Sequence, residues 1–301
     1  MHDSELLADE FEEHRGRLRA VAYRMLGSLS EADDAVQETW LKLGRTDVGE
    51  IKNLGGWLTT VTGRVCLDML RSRAARREGP LELSDTFVPD PVVSSLDRID
   101  PEQEVLLADS VGLALLVVLE TLEPAERLAF VLHDMFAVPF DDIAPVVGRN
   151  AAAARQLASR ARRRVKEAAP EPERDAVRQR EVLDAFLAAS RAGDFEALVA
   201  VLDPDVVLRA DAGALVGGVT GSKLLRGAEA VARSALAFRR FAASSRLVRV
   251  NGEAGVVAVV DGRPQSVMAV TVADGRIVAM HILADPERLA RLGLAGEEPG
   301  E

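Results

Sequence analysis

The chain has few of the features that mark secreted, membrane-bound or disulfide-linked proteins. It contains a single cysteine, Cys66, so an intrachain disulfide is excluded, and this usage is typical of a reducing cytoplasm. Its longest apolar run, Val111 to Leu119, is far shorter than the roughly 20 residues that a membrane helix needs. The N-terminus is acidic and unlike a signal peptide. We therefore expect a cytoplasmic protein without a membrane segment, with Cys66 in a helical core.

Acidic residues outnumber basic ones, 48 to 37, but basic residues are concentrated in two places. The net charge of −11 argues against a general affinity for nucleic acids. Within this acidic chain, however, the segment 61–77 carries five arginines against one acid, and the segment 140–166 carries seven basic residues against two acids. This distribution predicts localised contacts with phosphate groups. Solvated helix surfaces are the alternative, and for either segment alone they are the commoner explanation.

Composition and periodicity divide the chain into four segments. Residues 8–77 and 102–168 have the apolar spacing of helices, and residues 78–101 form a proline-containing, acidic linker, for which a plain spacer is the alternative interpretation. In residues 176–292, two amphipathic helices precede five runs of alternating apolar residues. The turn pairs between these runs predict β-hairpins: Asn251-Gly252, Asp261-Gly262 and Asp274-Gly275. The fold class is therefore multidomain, with two all-α domains and a C-terminal α+β domain.

The segment from Phe140 to Val165 has the pattern of a helix-turn-helix. Gly148 ends a short helix, Asn150 is a good N-cap, and a second helix begins at Ala151. Such helix pairs also occur as purely structural elements, but here the polar face of the second helix is rich in arginine. The residues predicted to contact DNA bases or phosphates are Arg149, Asn150, Arg155, Gln156, Ser159, Arg160 and Arg163.

Several motifs resemble those of extracytoplasmic-function (ECF) sigma factors of bacterial RNA polymerase. In the second helical segment these are His133-Asp-Met-Phe, Phe140-Asp-Asp-Ile-Ala and Arg155-Gln-Leu-Ala-Ser-Arg-Ala-Arg-Arg-Arg, which resemble the domain that reads the promoter −35 element. In the first segment, Glu31-Ala-Asp-Asp-Ala-Val-Gln-Glu-Thr-Trp-Leu resembles the polymerase-binding helix, and the stretch from Gly56 to Ser72 resembles the −10-reading helix.

The resemblance implies roles for two sets of residues in the first helical segment. A helix that is expected to start at Ser30, with Asp33 in the capping-box position, would present an acidic and amide ridge to the polymerase. That ridge consists of Asp33, Asp34, Gln37, Glu38 and Leu41. The next helix would place its basic residues on promoter DNA, namely Arg64, Arg71, Arg73, Arg76 and Arg77. The resemblance also implies that the acidic linker threads the nucleic-acid channel of the polymerase.

The C-terminal domain resembles the cone-shaped SnoaL-like fold that sigma factors of the SigJ-like group carry. Phe87-Val-Pro-Asp-Pro resembles their Trp-Leu-Pro-Glu-Pro linker signature, and Asp285-Pro-Glu-Arg-Leu resembles their Asn-Pro-Asp-Lys-Leu signature. Only Asp211 and Gly213 match their Asp-Gly-Gly-Gly-Lys signature. The resemblance implies control of sigma activity in cis. Asp211 and His281 are candidate pocket residues for an unknown small-molecule ligand, and no metal or cofactor site is predicted.

Three functions compete at this point. The first is a sigma factor that binds core RNA polymerase and promoter DNA, is regulated by its C-terminal domain and is not an enzyme. The second is a one-component transcription regulator with a ligand-binding C-terminal domain, which leaves residues 8–77 unexplained. The third is a SnoaL-like isomerase or hydrolase with a DNA-binding appendage, which would require catalytic turnover by the C-terminal domain.

Overall fold

A computed structural model of the chain divides into two compact units. The structure describes residues 2–47, 49, 51–76, 86–95, 112–168, 173, 175–213 and 221–294. Of these, the first unit contains residues 2–76 and 118–168, and the second contains residues 86–95, 112–117 and those from 173 onward. No helix within these described ranges is long and apolar enough to cross a membrane.

The first unit begins with three helices, α1 (His2–Leu26), α2 (Leu29–Leu43) and α3 (Leu54–Arg76). Their apolar faces meet in a small core that includes Leu18, Val36 and Leu58, and the three helices contact one another pairwise. Cys66 is fully buried as predicted, and burial raises the pKa of its thiol far above the usual range. This thiol is therefore unreactive at neutral pH.

The start of α2 differs from the sequence-based expectation. The helix begins at Leu29 with Ser28 in the N-cap position, so the prediction of Ser30 as the cap is wrong. The Ser28 side chain bonds that of Ser30, 3.2 Å away, and makes no side-chain capping bond. Asp33 is not part of a capping box, because its carboxylate accepts a hydrogen bond from Arg19 Nε at 2.6 Å. The Asp33 carboxylate thus binds Arg19 of α1 and does not cap α2.

Further helices follow after the linker. Their bounds are α4 (Leu113–Glu120), α5 (Pro124–Phe130), a π-helical turn (Val131–Met135), α6 (Phe140–Val147) and α7 (Ala151–Ala168). Pro124 occupies the first turn of α5, where a missing backbone N–H costs nothing. The boundary between the two units falls within α4, after Val117. The first ten residues of the second helical segment, 102–111, lie outside the described residues.

Part of the acidic linker is structured. Val93 and Ser94 form a short strand, β1, and the Asn251 side-chain oxygen accepts a hydrogen bond from the Val92 N–H at 3.0 Å. Residues 86–95 thus belong to the second unit, whereas residues 78–85 and 96–101 lie outside the described residues. The central part of the linker is therefore attached to the C-terminal sheet.

An α+β domain occupies most of the second unit. Its elements are α8 (Ala176–Ala192), α9 (Phe195–Val201), β2 (Leu202–Asp211), β3 (Lys223–Arg226), α10 (Ala228–Ala237), α11 (Arg239–Ala243), β4 (Ser245–Val250), β5 (Glu253–Val260), β6 (Arg263–Ala273), β7 (Arg276–Leu283) and α12 (Pro286–Arg291). The described strands form one sheet in the order β1-β4-β5-β6-β7-β2-β3. Neighbouring strands are antiparallel except for β2 and β7.

The three predicted hairpin turns are confirmed by their backbone angles. In each turn pair the Asn or Asp has a φ of about +50°, and the following glycine also has a positive φ. This is the conformation of a type I′ turn, which needs two consecutive residues in the left-handed region. The turns connect β4 to β5, β5 to β6 and β6 to β7.

The two faces of the sheet have different surroundings. One face packs on the helices in a core that contains Phe186 of α8, Leu208 of β2 and Met280 of β7. Alternate residues of the same strands point to the opposite face. Asp211 and His281 have the opposite parity to the core residues and are buried on that second face.

Candidate nucleic-acid and polymerase interfaces

The structure contains the predicted helix-turn-helix. Gly148 ends α6 with a φ of +67°, a left-handed conformation that favours glycine. The Asn150 side chain accepts a hydrogen bond from the Ala153 N–H at 2.8 Å and thereby caps α7. The buried side of α7 consists of small residues, which lets the helix pack closely: Ala154, Ala158 and Ala161.

Arg155 lies on the exposed side of α7, and its guanidinium group packs against an aromatic ring. The guanidinium carbon is 5.2 Å from the centre of the Phe140 ring, and that ring stacks on His133 at 3.8 Å. This support orients the planar group while its N–H edges stay available to acceptors. The neighbouring predicted contacts are exposed as well: Arg149, Asn150, Gln156, Ser159 and Arg163.

Other arginines of α7 have partners within the first unit. Arg160 and Arg164 both bind the carboxylate of Glu126, at 2.7 and 3.1 Å, and Arg162 binds Asp134 at 2.7 Å. Glu126 is buried, so its charge requires these partners. Arg160, predicted as a phosphate contact, therefore also stabilises the packing of α7 on α5.

The predicted arginines of α3 fall into different environments. Arg64 and Arg71 are exposed and lie two turns apart on one helix face, and Arg71 is 3.9 Å from the equally exposed Asp68. Arg73 instead turns back onto α2, where it pairs with Glu31. The structure thus leaves Arg64 and Arg71 accessible together. Two predicted contacts lie outside the described part of the structure, namely the side chain of Arg76 and all of Arg77.

The exposed face of α2 combines polar groups with an accessible leucine. Asp34, Gln37 and Leu41 are exposed and recur at the spacing of one helix face. Leu41 is 46% exposed, and among the described residues only Val177 is a comparably exposed large apolar side chain. A leucine beside an acid and an amide is suited to a partner surface with a small apolar pocket and basic surroundings.

The other two residues of the predicted ridge have neighbouring cations. Asp33 pairs with Arg19 at 2.6 Å, and Glu38 pairs with Lys42 at 3.1 Å. These exposed pairs contribute little to stability and can exchange partners. From here on, the acidic ridge denotes Asp33, Asp34, Gln37, Glu38 and Leu41.

A groove of about 340 Å³ runs between α2 and α3 beside the acidic ridge. Its walls combine charged and apolar side chains: Glu31, Glu38, Lys42, Val65, Asp68, Met69, Ser72 and Arg73. Residue spacing along each helix gave no indication of it, because the groove depends on the angle between the two helices.

In the second unit, the segments that carry the linker and C-terminal signatures meet at Arg288. The Arg288 Nε donates a hydrogen bond to Asp90 Oδ1 at 2.7 Å, and Nη1 donates to Asp211 Oδ2 at 2.8 Å. Nη2 donates to the Val88 carbonyl at 2.6 Å, and the guanidinium carbon is 5.0 Å from the centre of the Phe87 ring. We call Phe87, Val88, Asp90, Asp211 and Arg288 the Arg288 clasp.

Gly213 completes this arrangement for a steric reason. Its φ is +75°, and a Cβ atom at this position would lie 2.5 Å from Asp285 Oδ2. Asp285 caps α12 by accepting hydrogen bonds from the Glu287 and Arg288 N–H groups, so it cannot easily move. The Gly213 N–H also donates to Asp211 Oδ1 at 3.1 Å. Asp211 and Gly213 are the two positions that match the Asp-Gly-Gly-Gly-Lys signature. Both therefore take part in this contact with Asp285 and Arg288.

Sequence patterns assign no individual role to Arg288 or Asp90. Each is one position of a signature: Asp90 lies in Phe87-Val-Pro-Asp-Pro and Arg288 lies in Asp285-Pro-Glu-Arg-Leu. One signal in the sequence could have indicated the contact: the linker signature and the C-terminal signature occur in the same chain, and segments with a shared role are often in contact. Because Asp90 and Arg288 are 198 positions apart, no pattern of local spacing predicts their contact.

The candidate pocket residues are both buried. Burial and the nearby charge of Arg209 lower the pKa of His281 to about 3, so this imidazole is neutral at pH 7. Asp211 is already bound by the Val88 N–H and by Arg288. On the same sheet face, burial raises the pKa of Glu253 to about 7.

Two helical modules with exposed arginines, one of them a helix-turn-helix, and a separate polar ridge with an exposed leucine are the features expected of a sigma factor. Sigma-70 region 2 matches residues 11–76, and Sigma-70 region 4 matches residues 112–165. We refer to these parts of the chain as region 2 and region 4.

Relatives that match nearly the whole chain indicate which class of sigma factor it resembles. The chain is 40% identical over 297 residues to the ECF RNA polymerase sigma factor SigJ of Mycobacterium tuberculosis, covering 93% of this chain and 92% of SigJ. It is 38% identical over 277 residues to the probable ECF sigma factor SigI of the same species, covering 92% of each. The crystal structure of SigJ superposes with a TM-score of 0.74 at 36% identity, covering 96% of this chain and all of that one.

The chain belongs to the family of extracytoplasmic-function RNA polymerase sigma factors. It binds core RNA polymerase and directs promoter-specific initiation of transcription, and its C-terminal domain has the SnoaL-like fold. The predictions of fold class and of sigma function are confirmed. A one-component regulator is excluded as the main function, because region 2 would then have no role.

Proposed function

We propose that the exposed residues of α7 read the promoter −35 element, that α3 contacts the −10 element, and that the acidic ridge binds the polymerase. For the −35 contact, the support is the exposed cluster around Arg155 at the capped start of a recognition helix. For the −10 contact, it is the pair Arg64 and Arg71 on one accessible face. For the polymerase contact, it is the exposed Leu41.

We further propose that the C-terminal domain controls sigma activity in cis through the Arg288 clasp. The observation that carries this proposal is the docking of linker residues 86–95 on the C-terminal sheet. Arg288 binds Val88 and Asp90 of the linker directly, and β1 adds backbone pairing with β4. Several of these contacts involve charges with little access to water, where charge-assisted hydrogen bonds are strong.

Chain length explains why docking the linker would restrain the sigma factor. Promoter elements about 25 base pairs apart are separated by roughly 80 Å along B-form DNA. The segment between Arg76 and Gly112 would reach about 120 Å at full extension. When residues 86–95 are fixed on the C-terminal sheet, this tether becomes two shorter pieces. The clasp thereby limits the positions that region 4 can reach relative to region 2.

The substitution Arg288→Ala tests this control. Removing the guanidinium leaves Asp90 and Asp211 without their shared cation, which weakens linker docking by about 1.5–3 kcal/mol, the usual contribution of a hydrogen bond to a charged group. We expect faster protease cleavage within residues 86–95 and higher promoter-specific transcription by the full-length protein in single-round assays. Arg291→Ala is the matched control, because Arg291 lies on the same helix and is exposed.

Two results would overturn control through the clasp. One is a released linker with unchanged transcription. The other is equal effects of Arg288→Ala and Arg291→Ala on both readouts. Lower transcription by Arg288→Ala would mean that the docked linker activates the sigma factor, which contradicts the restraint argued above.

The unknown small-molecule ligand of the C-terminal domain stays a prediction. Because Asp211 belongs to the clasp, a ligand that bound its carboxylate would compete with Arg288 and free the linker. We propose such competition in place of catalysis. Its support is that the Val88 N–H and Arg288 already occupy the Asp211 carboxylate, whereas the buried Nδ1 of His281 has no hydrogen-bond partner among the described residues.

A further inference from the structure

A third basic segment lies in the C-terminal domain, in addition to those of regions 2 and 4. Residues 230–252 contain five arginines and no acid, whereas the whole chain has a net charge of −11. The strand β3 adds Lys223 and Arg226. Three of the five arginines lie on α10 and α11, and all three are exposed, including the adjacent Arg239 and Arg240. An ordinary solvated surface intersperses both signs of charge, so this run of cations calls for a partner.

Two aromatic rings hold two of these cations at the junction of α10 and α11. Phe238 and Phe241 are nearly parallel, with ring centres 6.1 Å apart and an interplanar angle of 20°. Lys223 Nζ lies 4.4 Å from the centre of the Phe238 ring, and the Arg240 guanidinium carbon lies 4.8 Å from that of Phe241. Each ring thus restricts the position of one cation. We call these four residues, together with Arg239, the basic corner.

Lys223 is a half-buried cation whose partners are a hydroxyl group and an aromatic ring. Its Nζ donates a hydrogen bond to Ser234 Oγ at 2.7 Å. Burial lowers the pKa of Lys223, because it removes water from the charged form. A nearby anion would favour that charged form. The position is therefore suited to an anionic partner.

The two adjacent arginines of the basic corner are available to a partner. Among the described residues, no carboxylate lies within ion-pair distance of Arg239 or Arg240. The acids nearby in sequence have other roles, since Glu229 pairs with Arg233 at 2.6 Å and the Asp194 side chain caps α9. The guanidinium groups of Arg239 and Arg240 therefore keep their N–H donors for groups outside the domain.

A phosphodiester backbone is the partner that this surface fits best. Guanidinium N–H groups match the oxygens of a phosphate, and a run of cations without acids attracts a polyanion. Promoter DNA is the polyanion that a sigma factor already binds. Because Lys223 and Arg240 lie over the two rings, contact with the phosphates of a duplex is favoured over stacking of single-stranded bases.

We propose that the basic corner is a third DNA contact of this sigma factor, which binds the phosphate backbone of the promoter duplex without reading its sequence. The contact adds affinity to the binding of promoter DNA by the holoenzyme. It involves neither α3 nor α7 and is separate from the Arg288 clasp. It therefore does not depend on the roles proposed for those elements.

The double substitution Arg239→Ala and Arg240→Ala tests this contact. Each lost phosphate contact lowers the slope of log affinity against log salt concentration by about 0.9, so the double variant should lower it by about 1.8. The same relation gives roughly 60-fold weaker binding of the holoenzyme to promoter DNA at 0.1 M salt. The loss should be equal for promoters that differ in their −35 or −10 sequence, because phosphate contacts carry no sequence information.

Arg263→Ala combined with Arg276→Ala is the matched control. These two arginines are also exposed in the C-terminal domain, but each lies two residues after the aspartate of a hairpin turn. The control removes the same charge and should leave the salt dependence unchanged. Arg239→Lys combined with Arg240→Lys keeps the charge and should retain most of the slope. Thermal unfolding of every variant is recorded, so that a loss of folding is recognised.

Photocrosslinking in the promoter complex identifies the partner directly. A photoreactive residue in place of Arg240 should crosslink to DNA, whereas one in place of Arg263 should not. A reduced salt slope together with this crosslink supports the contact. A slope equal to that of the control overturns it, as does a crosslink from position 240 to a polymerase subunit and not to DNA. Failure of the proposed −35 reading would instead appear as an unchanged base preference with Arg155→Ala.

Discussion

Replacing Arg155 by alanine is expected to weaken binding of the holoenzyme to its promoter by about 1–3 kcal/mol, or roughly 5- to 150-fold. Arg155 is exposed at the start of α7, and its guanidinium is supported by the Phe140 ring, so its N–H edges are preorganised for a base edge. The loss should concentrate on one position of the −35 element. Equilibrium binding to promoter variants at constant salt concentration measures both effects, since phosphate contacts vary strongly with salt.

Arg162→Ala is the control for this result. It removes the same charge from the same helix, but Arg162 is bound to Asp134 on the side that faces α5 and the π-helical turn. We expect it to weaken binding slightly and equally for all promoter variants. Equal losses for the two substitutions, without a change in base preference, would show that Arg155 contributes only charge and does not read the sequence.

The second large effect is expected at Leu41. Leu41→Asp should lower the affinity for core RNA polymerase by about 2 kcal/mol, or roughly 30-fold, because a leucine that becomes buried contributes about 1.5–3 kcal/mol. The side chain is exposed in the free protein, so the fold should tolerate the change. The measurement is a titration of labelled sigma factor with core polymerase, with thermal unfolding of the free protein recorded alongside.

Val177→Asp provides the matched control, since Val177 is the other highly exposed large apolar side chain of the described residues and lies in the C-terminal domain. It should leave polymerase affinity unchanged. Asp34→Ala, within the acidic ridge, should weaken polymerase binding to a smaller extent. If Leu41→Asp and Val177→Asp bound the polymerase equally well, the acidic ridge would not be the docking surface.

Elements that depend on local chemistry were predictable from sequence. The hairpin turns follow from Asn-Gly and Asp-Gly pairs, because these residues tolerate the left-handed backbone that type I′ turns require. The helix-turn-helix follows from Gly148 and the Asn150 cap, whose hydrogen bond spans only three residues. The buried position of Cys66 follows from helical periodicity. In each case the pattern that predicts the feature lies within a few neighbouring residues of the chain.

Features that depend on distant partners were not predictable in the same way. Arg73 has the spacing of a DNA contact, yet it pairs with Glu31 of another helix. The linker has the composition of a spacer, yet Arg288 and the edge of β4 give its central part a binding site. Gly63 of α3 lies against Leu128 and Leu132, and this contact depends on the packing of two helical modules that are far apart in sequence. Such contacts are set by tertiary geometry, which periodicity does not encode.

The most direct test of the account is site-specific photocrosslinking of the holoenzyme to one promoter. A photoreactive residue in place of Arg64 and, separately, in place of Arg155 should crosslink to two sites about 25 base pairs, or roughly 80 Å, apart on the same DNA. Crosslinks that coincide, or that occur from position 155 alone while position 64 stays silent, would contradict two DNA-reading modules that separate to contact one promoter.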